Sequence, residues 1–260
     1  MPRLGAIMRS RLNMKHRPLS AVAACGVALA LMTITLATVS ESRQPVSGRQ
    51  LLDQFQNTLV FWQQFEIAKR IVALHDPSVL PELVGWLNHE DRHLQGNAAF
   101  IFASLGDDRG FEGIRAILTD RSYRPEAQGI PGVAGDGRYH VEQQIRADRY
   151  YAAHLFGDLK DPRAVPILVP LLSDEEVNYI VPWSLGEIGD RRAVAPLIKT
   201  LTDENPSMRV LAIYALENLG AKDALPALYR LLNDNEKSNF ADLVSVAQAA
   251  KSAITKLEAH

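Results

Sequence analysis

From about residue 51 onward, apolar residues recur at helical spacing in short blocks, and the blocks come in pairs. The first member of a pair, helix A, carries Val79, Leu80, Leu83 and Leu87, then Val165, Leu168, Val169 and Leu172, then Val194, Leu197, Ile198 and Leu201. Steps of three and four place such residues in one stripe along a helix. The second member, helix B, is built from small and aliphatic residues such as Ala212, Ala215, Leu216 and Leu219, and closes on Leu-Gly or Ile-Gly. Small side chains let helices approach closely. Alternation in steps of two, the signal of a strand, is nearly absent.

The punctuation between blocks repeats as well. Asp76-Pro77-Ser78-Val79-Leu80-Pro81 reads almost as Asp161-Pro162-Arg163-Ala164-Val165-Pro166, and Gly189-Asp190-Arg191-Arg192-Ala193-Val194 continues the series. Aspartate suits the position before a helix, proline suits its first turn, and glycine at 106, 189 and 220 suits the left-handed residue that closes the preceding one. The anchors Asp76, Asp107, Asp161 and Asp190 lie 31, 54 and 29 residues apart, so a period near thirty is interrupted once, by an insertion over roughly Arg121 to Gln144. A period of this length that divides into two helices predicts an all-α stack of helix pairs. No pair buries both faces alone, so each must lean on its neighbours.

This pattern predicts one repeat domain over residues 51–260. A helix around Leu51 to Trp62 caps it, a B-type helix comes next with Phe65, Ala68, Ile71 and Leu74, and residues 223–233 and 241–258 form a last pair around a loop, Asn233 to Asn239. Residues 41–50 read as a polar tether.

Residues 1–40 differ. Arg3, Arg9, Arg11, Lys15 and Arg17 precede an uncharged apolar run over 19–40, the order of an export signal. The translated start is Met1, Met8 or Met14. The run ends at Thr38-Val39-Ser40, whose small residues allow cleavage, and it is also long enough to remain as a membrane anchor. Either way, the chain beyond Ser40 is expected outside the cytoplasm: periplasmic, or held at the outer face of the inner membrane. The sole cysteine, Cys25, lies within this run, so the repeat domain has no disulfide and no thiol nucleophile. Val22-Ala23-Ala24-Cys25 has the look of a lipoprotein box but sits at the wrong end of the run.

All 30 acidic residues but only 23 of the 28 Lys and Arg lie beyond residue 40, which leaves that part at −7. An acidic body without a basic stripe argues against nucleic acid as a partner.

The strings Phe156-Gly157-Asp158-Leu159-Lys160-Asp161-Pro162-Arg163-Ala164-Val165-Pro166 and Leu185-Gly186-Glu187-Ile188-Gly189-Asp190-Arg191-Arg192-Ala193-Val194 resemble HEAT repeats of the phycobilin-lyase type. The resemblance covers roughly residues 65–258 and implies a right-handed α-solenoid. It says less about activity, because similar proteins include bilin lyase subunits, the iron-dependent deoxyhypusine hydroxylase and binding scaffolds. The hydroxylase holds its metal with His-Glu pairs in B helices. The corresponding slots here are Gly96-Asn97, Tyr150-Tyr151, Tyr179-Ile180 and Val210-Leu211, and none offers an imidazole with a carboxylate.

Three constellations invite a chemical reading. His89-Glu90-Asp91-Arg92-His93 matches the zinc-protease pattern H-E-x-x-H, which needs both histidines on one helical face. Register argues otherwise, since aligning Leu87–Gly106 with Leu201–Gly220 sets Arg92 on Pro206 and so puts His89 in the A–B turn and His93 in the first turn of helix B. The insertion holds Gly129, Gly132, Gly135 and Gly137, but no strand precedes these glycines and no Lys-Ser/Thr comes after them, so it reads as an extended loop able to contact a partner. Last, Tyr150, Tyr151, Tyr179, Trp183 and Tyr214 fall in successive B helices, with Tyr150 and Tyr179 in equivalent slots. They are expected to form an aromatic row on the concave side, a binding groove, with packing between repeats as the alternative for Trp183. Pro182 is expected to kink its B helix. Arg146 and Arg149 join the row as charges that orient a ligand, or with Asp148 they solvate the helix start. His154, alone on its helix, reads as packed or exposed rather than as a base.

The reading is therefore a non-enzymatic exported scaffold for a protein or peptide, with no cofactor. An enzyme or enzyme subunit of the lyase or hydroxylase type is the alternative.

Overall fold

A computed structural model describes residues 47–122, 137–239 and 243–259. All lie in the second of two units, Val46–His260; the first, Met1–Pro45, holds the basic and apolar segment of the expected signal or anchor and falls outside the described residues. Among the described residues no helix is long and apolar enough to cross a membrane.

Among the described residues, six helix pairs succeed one another: α1 (Gly48–Asn57) with α2 (Phe61–Val72), α3 (Leu80–Leu83) with α4 (Arg92–Ser104), α5 (Asp108–Thr119) with α6 (Gly137–Leu159), α7 (Val165–Leu168) with α8 (Val181–Ile188), α9 (Val194–Thr200) with α10 (Pro206–Asn218), and α11 (Leu225–Arg230) with α12 (Val246–Ala259). Each pair packs internally, and the B helices α2, α4, α6, α8, α10 and α12 pack one on the next; α5 also lies against α4. The described residues form no strand, only an isolated antiparallel bridge between Lys237 and Ser245 in the loop before α12.

Local chemistry explains the periodicity. Asp76, Asp161 and Asp190 accept hydrogen bonds from the amides of Ser78, Arg163 and Arg192 at 2.9, 2.8 and 2.8 Å, opening short 3₁₀ turns that feed α3, α7 and α9. Asp91 and Asn205 cap α4 and α10 in the same way. One residue before each A segment after the first is left-handed: His75, Gly106, Lys160, Gly189 and Gly220, with φ of 54°, 87°, 57°, 77° and 59°. Glycine takes this conformation freely, while His75 and Lys160 hold it against the clash of a Cβ.

A single cluster of buried apolar side chains runs from Leu51 in α1 to Leu257 in α12, with Phe55, Phe102, Phe156 and Leu185 among its fully enclosed members. Glycine brings the B helices close. A Cβ on Gly157 of α6 would meet Trp183 Cζ3 at 2.6 Å and Ser184 Cα at 2.9 Å, and one on Gly186 of α8 would lie 3.2 Å from Ala215 Cα.

Several boundaries differ from the expectation. The tether ends sooner, since Ser47 caps α1 and residues 48–50 are already helical. The expected helix over 51–62 breaks at Thr58–Val60, and Trp62 belongs to the first turn of α2; Leu74 lies beyond the end of that helix and is exposed. Residues 137–144 of the expected loop belong to α6, while 123–136, with most of its glycines, fall outside the described residues.

Candidate functional site

One column of the repeat is polar where its surroundings are apolar. Gln64, Gln95, Arg149, Asn178 and Arg209 occupy the same register in successive B segments, and all are buried. Four of them reach back to the end of their own A segment: Gln64 donates to the Phe55 carbonyl at 3.1 Å, Gln95 to Leu87 at 2.6 Å, Arg149 to Leu118 at 2.8 Å and Arg209 to Asp203 at 2.6 Å. Each bond satisfies a carbonyl that a helix or turn end would otherwise leave orphaned.

The two arginines also reach forward. Arg149 donates to Asp174 Oδ2 at 2.7 Å and to Glu176, and Arg209 pairs with Asp234 at 3.0 Å and with Glu236, so each clasps the A–B turn of the next pair. Arg92 makes the corresponding reach to Asp120 at 2.6 Å. Between α8 and α10, where Asn178 is too short, Asn205 donates to the Tyr179 hydroxyl at 2.7 Å. Arg149 was expected to orient a ligand or, with Asp148, to solvate the helix start. Its side chain is 3% exposed and is spent on this clasp, because a guanidinium can be buried only where its donors are met. Arg146, three residues earlier, is exposed.

The rings gather on the B layer near its N-terminal end. Phe61 and Phe65 of α2, His93 of α4, Tyr151 and His154 of α6 and Trp183 of α8 form one connected set. His93 lies 4.6 Å from Phe61 and 5.0 Å from Tyr151, ring centre to ring centre. His154 sits between Tyr151 and Trp183, 6.2 and 4.6 Å away, tilted by only 9° and 15°, with the Phe65 edge at 6.4 Å. Trp62 meets Phe61 edge-on at 5.2 Å and is 55% exposed, extending the set to solvent. The Tyr151 hydroxyl donates to Asn97 Oδ1, and Asn97 donates to Gln64 Oε1 and to the Phe61 carbonyl at 2.9 Å each, which fixes α2, α4 and α6 against one another.

The expected row is thus brought together in part. Tyr151 and Trp183 belong to the cluster; Tyr150 is half-buried beside the core, and Tyr214 holds a half-buried place on α10. Tyr179 is not on a B helix, because its unit is only turn over Glu175–Ile180 and α8 begins at Val181. Pro182 accounts for this. It lies in the first turn of α8, where its missing N–H has no helical partner to lose, so it starts the helix instead of kinking it. Phe61, Trp62, Phe65, His93 and His154 were not foreseen as members. Their signal was present in part: His154, Trp183 and Tyr214 share one repeat slot, two positions before the Phe156, Leu185 and Leu216 column.

The H-E-x-x-H histidines serve different neighbours. His89 ends the 3₁₀ turn before α4, stacks on Trp86 at 5.0 Å and accepts the Asp91 amide at 3.0 Å through Nδ1. His93 lies in the first turn of α4, with Nδ1 3.4 Å from Asp148 Oδ1, and Glu90 is exposed. Among the described residues, no three His, Cys, Asp or Glu side chains converge in a group suited to a metal.

Burial dominates the electrostatics. It pushes the Tyr151 hydroxyl well above its ordinary value, with Asp158, Asp91 and Glu66 adding to the rise. It pushes the His154 imidazole down, with Lys69 in the same sense and Asp158 and Glu187 opposed. His154 is therefore neutral in the folded protein near pH 7, while the unfolded chain takes up a proton at about pH 6.5. Stability is expected to fall as the pH drops below that value, because the unfolded state then binds more protons. Asp158 works in the opposite sense at lower pH, since burial raises its carboxyl pKa and the folded form accepts a proton first. His154→Phe, which keeps a ring between Tyr151 and Trp183, is expected to flatten the decline between about pH 6.5 and 5 in urea titrations; an unchanged slope would assign the decline to another group.

Paired helices stacked in series with this punctuation define a helical-repeat protein. Residues 173–243 match the HEAT repeats model, and residues 148–174 match the PBS lyase HEAT-like repeat. The matched stretch runs from within α6 to the loop before α12 and is consistent with HEAT repeats of the PBS-lyase type. No curated protein sequence matches it significantly. Two solved structures similar to it are both engineered proteins. One is 18% identical, with 82% of this chain and 96% of that chain covered and a TM-score of 0.37; the other is 16% identical, with 81% and 68% covered and a TM-score of 0.33.

Proposed function

We propose that the chain is a non-enzymatic, exported scaffold, a right-handed solenoid that holds a protein or peptide partner on its B-helix face. One observation carries the reading. The ring cluster of Phe61, Phe65, Tyr151, His154 and Trp183, continued to solvent by Trp62, is the largest connected set of ring contacts among the described residues, and aromatic side chains of this kind anchor partners. The charged residues of the B-helix N-terminal edge are engaged in clasps between repeats, which suits a rigid support better than a reacting centre.

Export rests on the basic segment ahead of the apolar run over 19–40, and places the scaffold in the periplasm or at the outer face of the inner membrane. The insertion supplies a second contact, confined to about residues 121–136.

Cross-linked capture from the native host tests the proposal, with the wild-type chain compared with a Trp62→Ser, Trp183→Leu double variant of unchanged helicity. Proteins held by the wild type are expected to be lost from the variant by at least tenfold. Equal capture by both, or a pigment or stoichiometric metal retained through purification, would overturn it.

A further inference from the structure

On the B-helix face, Asp158 stands out because few groups of the chain engage it directly. Its carboxylate is only 29% exposed, and among the described residues it makes no hydrogen bond. Its one close polar neighbour is His154 Nδ1, 3.2 Å from Oδ2, yet that nitrogen is itself buried without a hydrogen-bond partner. The nearby lysines are committed elsewhere. Lys69 pairs with Glu66 at 2.6 Å and lies over the Phe65 ring at 5.0 Å, while Lys160 pairs with Glu187 at 3.3 Å. Water reaches the rest of this carboxylate, and a cation from outside the chain would replace that hydration with an ion pair.

Trp183 lies beside it. The indole packs onto α6 at Gly157, the residue before Asp158, and stacks on the His154 ring that touches the carboxylate. The His154 ring covers one face of the indole, which is half-buried, and a half-buried indole near a partly hydrated carboxylate is an arrangement that takes up a cation, since the ring quadrupole and the anion attract the same charge. We infer that Asp158, His154 and Trp183 form a subsite for one basic side chain, the lysine or arginine of a partner segment laid across α6 and α8. The −7 charge of residues 41–260 draws such a segment in from a distance. This deepens the scaffold reading and rests on it.

Asp158 then behaves as a residue kept for binding. Burial already disfavours its ionised form, so Asp158→Asn is expected to leave stability unchanged or raise it, whereas loss of a structural ion pair would lower it. The binding test uses the full chain and nine-residue Gly/Ser peptides carrying one central lysine, arginine, norleucine or glutamate, tracked through the indole N–H resonance of Trp183. Lysine and arginine peptides are expected to shift that signal, norleucine and glutamate peptides to leave it in place, and Asp158→Asn to weaken the lysine response at least tenfold. Equal shifts from norleucine, no shift from any peptide, or a response untouched by Asp158→Asn would overturn the subsite. Its failure is separable from that of the scaffold reading: if capture in the host still depends on Trp62 and Trp183 while the peptides give nothing, the face binds a partner, but not through a cation.

Discussion

Gly110→Ala is expected to destabilise the protein by about 3 kcal/mol, although the same change on an open helix stabilises. Gly110 lies in the first turn of α5, and a Cβ there would sit 2.1 Å from Ala103 N, 2.2 Å from Ala99 O and 2.8 Å from Phe102 Cβ. The first two are backbone atoms of α4 and its end, so no rotamer change relieves the contact and the two helices must separate. Close-packed interiors tolerate such shifts poorly. Gly85→Ala serves as the control, because its Cβ would meet nothing within 4 Å; it is expected to gain a few tenths of a kcal/mol to about 1 kcal/mol. Urea denaturation of the two variants checks the claim, and a difference between them below about 0.5 kcal/mol would show that α4 and α5 are not in direct backbone contact.

The second large effect concerns the clasp. Arg149→Met is expected to cost about 3 kcal/mol, the lower end of the range for removing one partner of a buried ion pair. Three bonds are lost at once: to the Leu118 carbonyl, to Asp174 and to Glu176. The effect stays at the lower end because Arg121 also holds Asp174, at 2.6 Å, and Glu176 is 36% exposed and can hydrate. Asp174→Asn should remove much of the penalty when combined with Arg149→Met, since the stranded charge goes with it. A double-mutant cycle measures this, and a coupling below about 0.5 kcal/mol would show that Arg149 contributes packing alone.

Both effects concern joints between repeats, and there the readability of the chain changes. The starts and stops of the units were legible because a few neighbouring residues encode them. Asp76, Asp161 and Asp190 cap turns two residues on, and Gly106, Gly189 and Gly220 supply a positive φ. Such interactions close within a handful of bonds, so their pattern survives in a linear reading. Tyr179 shows where that reading stopped. Repeat alignment put it on a helix, but Pro182 moved the helix start to Val181, and a proline reads alike as a kink or as a first turn until its neighbours are placed. Arg149 failed for a related reason: beside Asp148 and Arg146 it looks like a solvated helix start, and only Asp174 and Glu176, some 25 residues on, account for its burial.

The candidate site was half readable. Tyr151 and Trp183 stand out from their repeat slots, while Phe61, Phe65, His93 and His154 join them through contacts across α2, α4, α6 and α8. Slot equivalence says which side of a B helix a residue occupies. It does not say how close successive helices come.

Helix pairing, the thirty-residue period and the capping chemistry were thus settled along the chain, because each depends on interactions a few residues long. The ring cluster, the arginine clasps and the half-buried place of Asp158 arose from packing between repeats. They depend on interhelix separations that glycines such as Gly157 and Gly186 permit, and a separation is a property of two surfaces in contact, not of either string of residues alone.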